Sequence, residues 1–535
     1  MATRHLDDDI AEKQFDLNLT KKAFAFIKPY KFLFLKSLLA LIFLSATNVA
    51  GPYITKHAID DGIKQNNITM LSIMAILYIL VFILKGLFHY YQALSIAMLA
   101  QYVTNDIRNK MFSHIQYLSL DFFNKREVGR IISRMMGDVN SINHLVTAGV
   151  ISLITDIVTA IGVVYIMAKL NLKLTLLTFS LMPLIFAVTF ILRQIVRSAY
   201  RDVRRKSAMV TASIAQNVMG VKVVKSFSRE RRNLYGFKQK TKEHKNSTMH
   251  SVMVSSLLTN IIVFMTILGV SIVYYFGGKQ VQAEALTVGG FVAFIYYVGL
   301  FYTPIQNAST FYAFLQAAMA GAERIFGILE TEPLVKDKEG AFDIENVEGK
   351  VEFKDVEFYY QEDTPILKGV SFIANPGETI ALVGPTGAGK STIINLITRQ
   401  YDVTSGSITL DDKDIRDITL YSLRKQMGIV LQDSFLFPGS VMENIRYGRL
   451  EASDEEVIEA AKVVGAHEFI EAMPNGYDTD VREGGSRLST GQKQLVSFAR
   501  ALLADPKILI LDEATSSVDP KTEQIIQEGL KKQIG

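Results

Sequence analysis

The stretch Thr379-Ile-Ala-Leu-Val-Gly-Pro-Thr-Gly-Ala-Gly-Lys-Ser-Thr-Ile-Ile-Asn-Leu-Ile397 decides the reading of the chain. Its apolar start, Thr379 to Val383, predicts a short buried strand, and its apolar end, Thr392 to Ile397, predicts a helix. Between them lies a glycine-rich turn. Phosphate oxygens need several donors at close range, and Gly384, Gly387 and Gly389 let backbone amides converge on them at the helix N-terminus. Thr386, Ala388 and Thr392 belong to the same cradle. Lys390 is placed to reach the terminal phosphates, and Ser391 to give a hydroxyl to Mg²⁺. The strand, turn and helix context separates this Walker A pattern from an ordinary glycine-rich turn, and it implies ATP with Mg²⁺.

A second element begins about 110 residues further on. Lys507-Ile-Leu-Ile-Leu511 reads as a buried strand with Asp512 and Glu513 at its carboxyl end, where open α/β sheets place their chemistry. Asp512 fits a carboxylate that holds Mg²⁺ through water. Glu513 fits the base that polarises the water attacking the γ-phosphate.

The remainder of the chain is of a different kind. Of its 535 residues, 49% are hydrophobic and 21% charged. The mean hydropathy is +0.21. Most of the apolar excess lies before about residue 320, in runs at Phe32 to Ile54, Met70 to Gln92, Thr147 to Lys169, Leu174 to Leu192, Ser251 to Phe276 and Gly289 to Ala318. Each reaches the roughly 20 residues a helix needs to cross hydrocarbon, so six spans are expected. There is no cysteine, which excludes disulfides, thiolate metal sites and a cysteine nucleophile. A net charge of +4, nearly balanced, gives no reason to expect a nucleic-acid partner.

The segments between spans 2 and 3 and between spans 4 and 5 are long and basic; Arg197, Arg201, Arg204, Arg205 and Lys206 crowd into the second. The positive-inside rule places both in the cytoplasm, with both chain ends, so a multi-pass protein of the cytoplasmic membrane is expected. These segments have few breakers and periodic apolar residues, which predicts helical stalks beyond the bilayer. Asp60 and Asp61, Leu170 to Lys173 and Gly277 to Val288 are expected as short outer loops. Lys21 to Tyr30 predicts an interfacial helix. The domain boundaries expected are residues 1–31 for the N-terminal cytoplasmic segment and its interfacial helix, 32–320 for the all-α six-helix transmembrane domain, 321–350 for a linker, and 351–535 for an α/β P-loop nucleotide-binding domain.

Leu488-Ser-Thr-Gly-Gln492 resembles the signature motif of ATP-binding cassette (ABC) proteins, and the rest of that family's pattern surrounds it. Tyr360 is similar to the aromatic that stacks on adenine, and Gln432 to the glutamine that senses Mg²⁺ and the attacking water. Ser516-Ser-Val-Asp519 resembles the D-loop. Six spans ahead of one nucleotide domain resemble an exporter half-transporter. The resemblance implies two nucleotide domains paired head to tail, with Ser489, Gly491 and Gln492 of one chain closing the ATP site of the other. Phe122 to Arg126 and Ser226 to Arg232 resemble the coupling helices at the cytoplasmic bends.

Two positions depart from the family pattern. Thr490 stands where glycine is usual and puts a side chain near phosphate, which together with Glu513 favours a different partner subunit over self-pairing. The switch histidine expected about thirty residues after Glu513 has no candidate before Gly535; a missing C-terminal segment is the preferred account, and His467 is no substitute. The cargo expected is amphipathic or hydrophobic: drugs or membrane lipids. A dedicated lipid flippase, an exporter of unprocessed peptides and a nucleotide-gated channel are the alternatives. Phe291, Phe294, Tyr296, Tyr297, Phe301 and Tyr302 carry enough aromatic surface to line a cavity, although most such residues face lipid or neighbouring helices. Asp156 and Lys85, the charges deepest within spans, lie at similar depth and are expected to pair.

Overall fold

The computed structural model describes residues 21–22, 25–361, 364–512 and 523–524. The chain divides into two compact units: Met1–Ile115 with Gly129–Glu330, and Gln116–Val128 with Thr331–Gly535. The division differs from the expected one in two places. The last long helix runs on to Leu329, nine residues into the expected linker, and the bend at residues 116–128 belongs with the second unit.

In the first unit the apolar runs become helices, the only conformation that satisfies every backbone amide within one segment in hydrocarbon. They are α1 (Lys31–His57) and α2 (Ile68–Gln116). The bend helix α3 (Leu120–Asn124) of the second unit follows in sequence. Then come α4 (Ile151–Leu170), α5 (Leu172–Phe179), α6 (Met182–Met219), the short α7 (Val221–Ser226), α8 (Glu230–Ile272) and α9 (Val288–Leu329). By length and composition alone, Lys28–Ile63, Ile68–Gln116 and Val128–Leu170 are each able to cross a bilayer, and Leu172–Ile185 and Val288–Pro304 are shorter apolar helices.

The fourth expected span is broken. Ser180 and Leu181 form a turn between α5 and α6, and Pro183 sits in the first turn of α6, where its missing N–H costs no hydrogen bond. The stalks form as the periodicity predicts. Along α2, apolar residues such as Ile73 and Phe82 are exposed, whereas Ile96, Leu99, Val103, Ile107 and Met111 are buried at three- and four-residue steps. The stalks of α6 and α8 are tied by Lys206 to Glu243, by Asn233 Nδ2 donating to Asn217 Oδ1 at 2.7 Å, and by Lys240 Nζ donating to Ser213 Oγ at 3.2 Å. Of the expected interfacial helix, Lys21, Lys22 and Ala25 are helical; Lys22 pairs with Glu330, and the ring of Phe26 lies 6.3 Å from that of Phe326.

Packing decides three features of the membrane unit. The aromatic residues of the sixth span are mostly core: Phe294, Tyr297 and Tyr302 are fully buried among Val49, Val163, Met167, Leu174 and Val273. Tyr297 donates its hydroxyl to the Val49 carbonyl at 2.8 Å, and Tyr302 to that of Thr178 at 3.2 Å. Phe301 stacks on Phe179 at 4.4 Å, and of the six only Tyr296 is largely exposed. Asp156 does not pair with Lys85, which is exposed on α2; its Oδ2 accepts from Asn307 Nδ2 at 3.0 Å.

Asp60, expected in an outer loop, is buried. The end of α1 widens into a π-helical turn over Ala58–Ile63, which turns Asp60 toward the start of α9. Its carboxylate accepts from Gly289 N at 2.8 Å and Thr287 Oγ1 at 2.6 Å, with Lys56 Nζ at 3.4 Å. A carboxylate at a helix N-terminus satisfies amides that lack an intrahelical acceptor. The fit leaves no space at Gly289, where a Cβ would lie 2.3 Å from the Lys56 carbonyl oxygen and 2.7 Å from Asp60 Cγ. Gly289→Ala is therefore expected to cost about 1–3 kcal/mol. Its thermal unfolding midpoint in detergent should fall by several degrees, and an unchanged midpoint would mean that this junction yields freely.

In the second unit, β1 (Val351–Gln361), β2 (Thr364–Ala374), β3 (Ser405–Leu410) and β4 (Lys413–Asp414) form an antiparallel sheet in the order β2-β1-β3-β4. A bulge at Asp355 shifts the alternation, so that Phe353, Val356 and Phe358 all face inward. β5 (Met427–Val430) and β6 (Ile508–Leu511) pair in parallel, as expected for an α/β P-loop domain. The expected buried strand Thr379 to Val383 is not one. It pairs with none of the described strands, and Val383 is 91% exposed. A strand exists through its ladder, and without a neighbour its apolar residues have no face to bury.

Candidate nucleotide-binding site

Two hydrophobic cores share the β5 and β6 pair as a common wall. Val430 and Leu509 pack into one core, Met427, Ile508 and Ile510 into the other, following the two-residue alternation of a strand buried on both faces. The ladder continues one step beyond the strand, where Asp512 N donates to the Val430 carbonyl at 3.0 Å. Gln432 and Asp512 are thereby brought to the same carboxyl edge. Glu513 and Ser516 to Asp519 lie outside the described residues.

The glycine-rich turn opens α10 (Lys390–Ile397), whose Leu396 is buried in the second core. Gly387 and Gly389 have φ of 87° and 94°, a region that side chains disfavour. Ala388 N donates to the Pro385 carbonyl at 3.1 Å, which closes the turn and leaves the first amides of α10 directed outward from the helix start. Lys390 Nζ donates to the carbonyls of Gly384, at 2.7 Å, and Pro385, at 3.2 Å, so the ammonium is held across the loop. Thr386, Gly387, Ala388 and Ser391 are exposed, while Thr392 is buried. A Cβ on Gly389 would lie 2.7 Å from Leu367 Cδ2. Gly389→Ala is expected to distort the loop and weaken nucleotide binding by at least about tenfold in a fluorescent-ATP titration. Wild-type affinity in that variant would remove the loop geometry from the account.

Tyr360, at the end of β1, stands over the start of α10. Its hydroxyl lies 3.4 Å from Thr392 Oγ1 and accepts from Asn395 Nδ2 at 3.3 Å, leaving the ring 39% exposed. A half-open aromatic face beside a phosphate cradle can stack a base. Tyr401, which the sequence did not single out, meets Tyr360 edge to face at 5.1 Å and is itself buried. Its hydroxyl accepts from Asn124 Nδ2 at 3.0 Å, and burial raises its pKa above the ordinary phenol value. Asn124 belongs to α3, in the bend between α2 and α4. Leu120 of that helix packs on the second core, and Ser119 Oγ accepts from Val335 N at 3.0 Å. Phe122 is buried, with the Arg126 guanidinium 4.2 Å from its ring. The other bend, around α7, exposes Phe227 and has Lys225 paired with Glu230 at 3.0 Å.

The helices α11 (Val441–Arg446) and α12 (Thr490–Leu503) both pack into the first core, and the signature residues sit together at the start of α12. Ser489 caps it: Ser489 Oγ accepts from Gln492 N at 3.3 Å, and Gln492 Oε1 accepts from Ser489 N at 2.9 Å. The box fixes the helix start while Ser489 and Thr490 face outward and Gly491 is partly exposed. Arg500, further along α12, donates to the carbonyls of Asn444, at 2.8 Å, and Phe435, at 3.1 Å. Asn444 in turn holds Phe437 through both its amide N–H and its carbonyl, both at 2.9 Å, so the segment after Gln432 is pinned to the signature helix. Burial lowers the Arg500 pKa, yet a guanidinium stays charged and its donors stay available.

The ABC transporter transmembrane region profile matches residues 34–305, and the ABC transporter profile matches residues 367–516. The chain belongs to the ABC transporter family. The *Bacillus subtilis* ABC transporter ATP-binding protein YknV is 39% identical over 98% of this chain and 87% of its own length. A *Syntrophus aciditrophicus* ATP-dependent lipid A-core flippase is 33% identical over 96% and 86%. YgaD of *Bacillus subtilis*, whose name assigns it to multidrug export, is 37% identical over 96% and 90%. The structure of a bacterial Atm1-family ABC exporter with ATP bound superposes with a TM-score of 0.77 at 28% identity, covering 94% of this chain and 89% of that one. This ABC transporter is thus a multi-pass membrane protein whose cassette binds and hydrolyses ATP to drive transport.

Proposed function

We propose that this ABC transporter exports amphipathic or hydrophobic compounds, drugs and lipids among them, as one half of an assembly with a second, non-identical half-transporter. Each ATP lies between the cradle of one cassette, Gly384 to Thr392 with Tyr360 on the base, and Ser489, Gly491 and Gln492 of the other. The observation that carries this reading is the signature: it is exposed at a fixed helix start and rests on a different core from the P-loop helix. Thr490 narrows the approach of phosphate to that helix start, which favours a partner with a different signature. The basic stalks support a cytoplasmic position for both chain ends and the cassette.

Ser391, Gln432 and Asp512 offer only oxygen donors, the set that suits a hard, partly hydrated dication, so they would hold Mg²⁺ together with phosphate and water. When bound, Mg²⁺ offsets charge on the β- and γ-phosphates. Lys390 exchanges its two carbonyl acceptors for phosphate oxygens. Glu513 accepts a proton from the attacking water, oriented by Gln432. Residues 119–126 transmit closure of the cassettes through the contacts of Asn124, Leu120 and Ser119.

Glu513→Gln is expected to lower ATPase activity by roughly 10² or more. Retained turnover would place hydrolysis in the partner's site. Thr490→Gly should raise ATPase activity several-fold, and no change would mean that Thr490 does not restrict the opposing site. Native mass spectrometry of the purified complex should find two different chains in equal amount; one species at twice the mass of this chain would refute the second subunit.

A further inference from the structure

We propose that Gln494 is a positioning residue for ATP hydrolysis: its side-chain amide takes hold of the backbone beside Gln432 when the cassettes close on nucleotide. The inference rests on the reading above that Gln432 and Asp512 serve hydrolysis, and it adds a residue outside the signature. Gln494 lies within α12, two positions beyond Gln492. It is 1% exposed, and among the described residues neither its Nε2 nor its Oε1 has a hydrogen-bond partner. Leu495, Val496, Phe498 and Ala499 beside it are apolar members of the first core. A methionine or leucine at position 494 would fill a similar volume without leaving a donor and an acceptor unpaired at a buried position. The amide is thus a cost in this state.

The place of that amide follows from how α12 lies on β5. The Ala501 carbonyl rests against Gly428, where a Cβ would be 3.1 Å from its oxygen. Lys507 N and Ile508 N both donate to the Gln426 carbonyl, at 2.9 and 3.0 Å, so the chain that leaves α12 enters β6 at the end where β5 also starts. The helix therefore runs antiparallel to both strands. Gln494 precedes Ala501 by seven residues, so it shares that helix face to within about 20° and lies about 10 Å back along the axis. That length is about three residues of strand, which puts Gln494 level with Leu431, between Val430 and Gln432. Among the described residues the Leu431 backbone makes no hydrogen bond. It has one donor and one acceptor, the complement of a side-chain amide. Ser497, one turn along α12 and within about 60° of Gln494, is 7% exposed, and its hydroxyl is unpaired as well. Unpaired buried polar groups are rare, and a strained site relieved in a second state accounts for them. Closure of the cassettes supplies that state: the amide of Gln494 then pairs with the strand end and holds Gln432 and Asp512 in place.

The test uses the assembled transporter with Gln494→Met, which keeps the shape and removes the amide. Its kcat should fall at least about tenfold while KM for ATP stays within about twofold, the pattern of an interaction made after nucleotide has bound. Thermal midpoints, with and without ATP and Mg²⁺ in a Glu513→Gln background, read the two states apart from turnover. Without nucleotide, Gln494→Met should not lower the midpoint; the rise that ATP brings should shrink. An unchanged kcat would overturn the proposal. So would an equal fall of the midpoint in both states, which would make Gln494 a packing residue satisfied throughout, and so would a raised KM with kcat kept, which would make it a nucleotide contact. If Glu513→Gln alone keeps its turnover, the assignment of Glu513 fails, and the change in the ATP-dependent midpoint still decides on Gln494.

Discussion

The four-step parallel ladder between Met427–Val430 and Ile508–Leu511 is the constraint on which the cassette depends. Among the described residues it is a wall that two hydrophobic cores share. Its alternation sends Val430 and Leu509 to one side and Met427, Ile508 and Ile510 to the other, so each core fixes the register seen by its neighbour. A slip of one residue would exchange the two sets of side chains. The same ladder brings Gln432 and Asp512 to one edge, and the Arg500 and Asn444 network ties the chain after Gln432 to the signature helix. A movement at that edge is therefore felt at α12 through hydrogen bonds that are mostly half-buried and costly to leave unmade.

The second core performs the matching task for the base and the bend. Tyr360 is oriented by Asn395 and Tyr401, and Tyr401 is held by Asn124 of α3. Three side chains thus join the half-open ring of Tyr360 to the bend at α3. An edge-to-face pair and a single amide donor are each worth about 1 kcal/mol, enough to bias a conformational equilibrium without locking it.

What could be read in the sequence was what depends on local order. Walker A, the signature and the six apolar runs are each defined within a few turns of chain, and their periodicity needs no partner. The misreadings share the opposite property. Thr379 to Val383 has the composition of a buried strand, but a strand is made by its neighbour. Asp60 looks like a loop acid because its partners, Thr287 and Gly289, lie more than two hundred residues away. The aromatic residues of α9 read equally as cavity lining or as helix packing on composition, and it is the carbonyls of Val49 and Thr178 that hold Tyr297 and Tyr302 in the core. Asn307 carried no signal within an apolar run, and Lys85 matched Asp156 only in depth; helix rotation, which composition does not encode, selects Asn307.

The central claim is that ATP draws two cassettes together, because neither completes a site alone. The absence of cysteine allows spin labels to be placed without background. Tyr421, 77% exposed on the cassette, is a suitable position for one label, with a second on the exposed surface of the partner's cassette. Double electron–electron resonance in a Glu513→Gln assembly should show one short distance population with ATP, and longer, broader distances with ADP or without nucleotide. The same distribution under all three conditions would contradict the account.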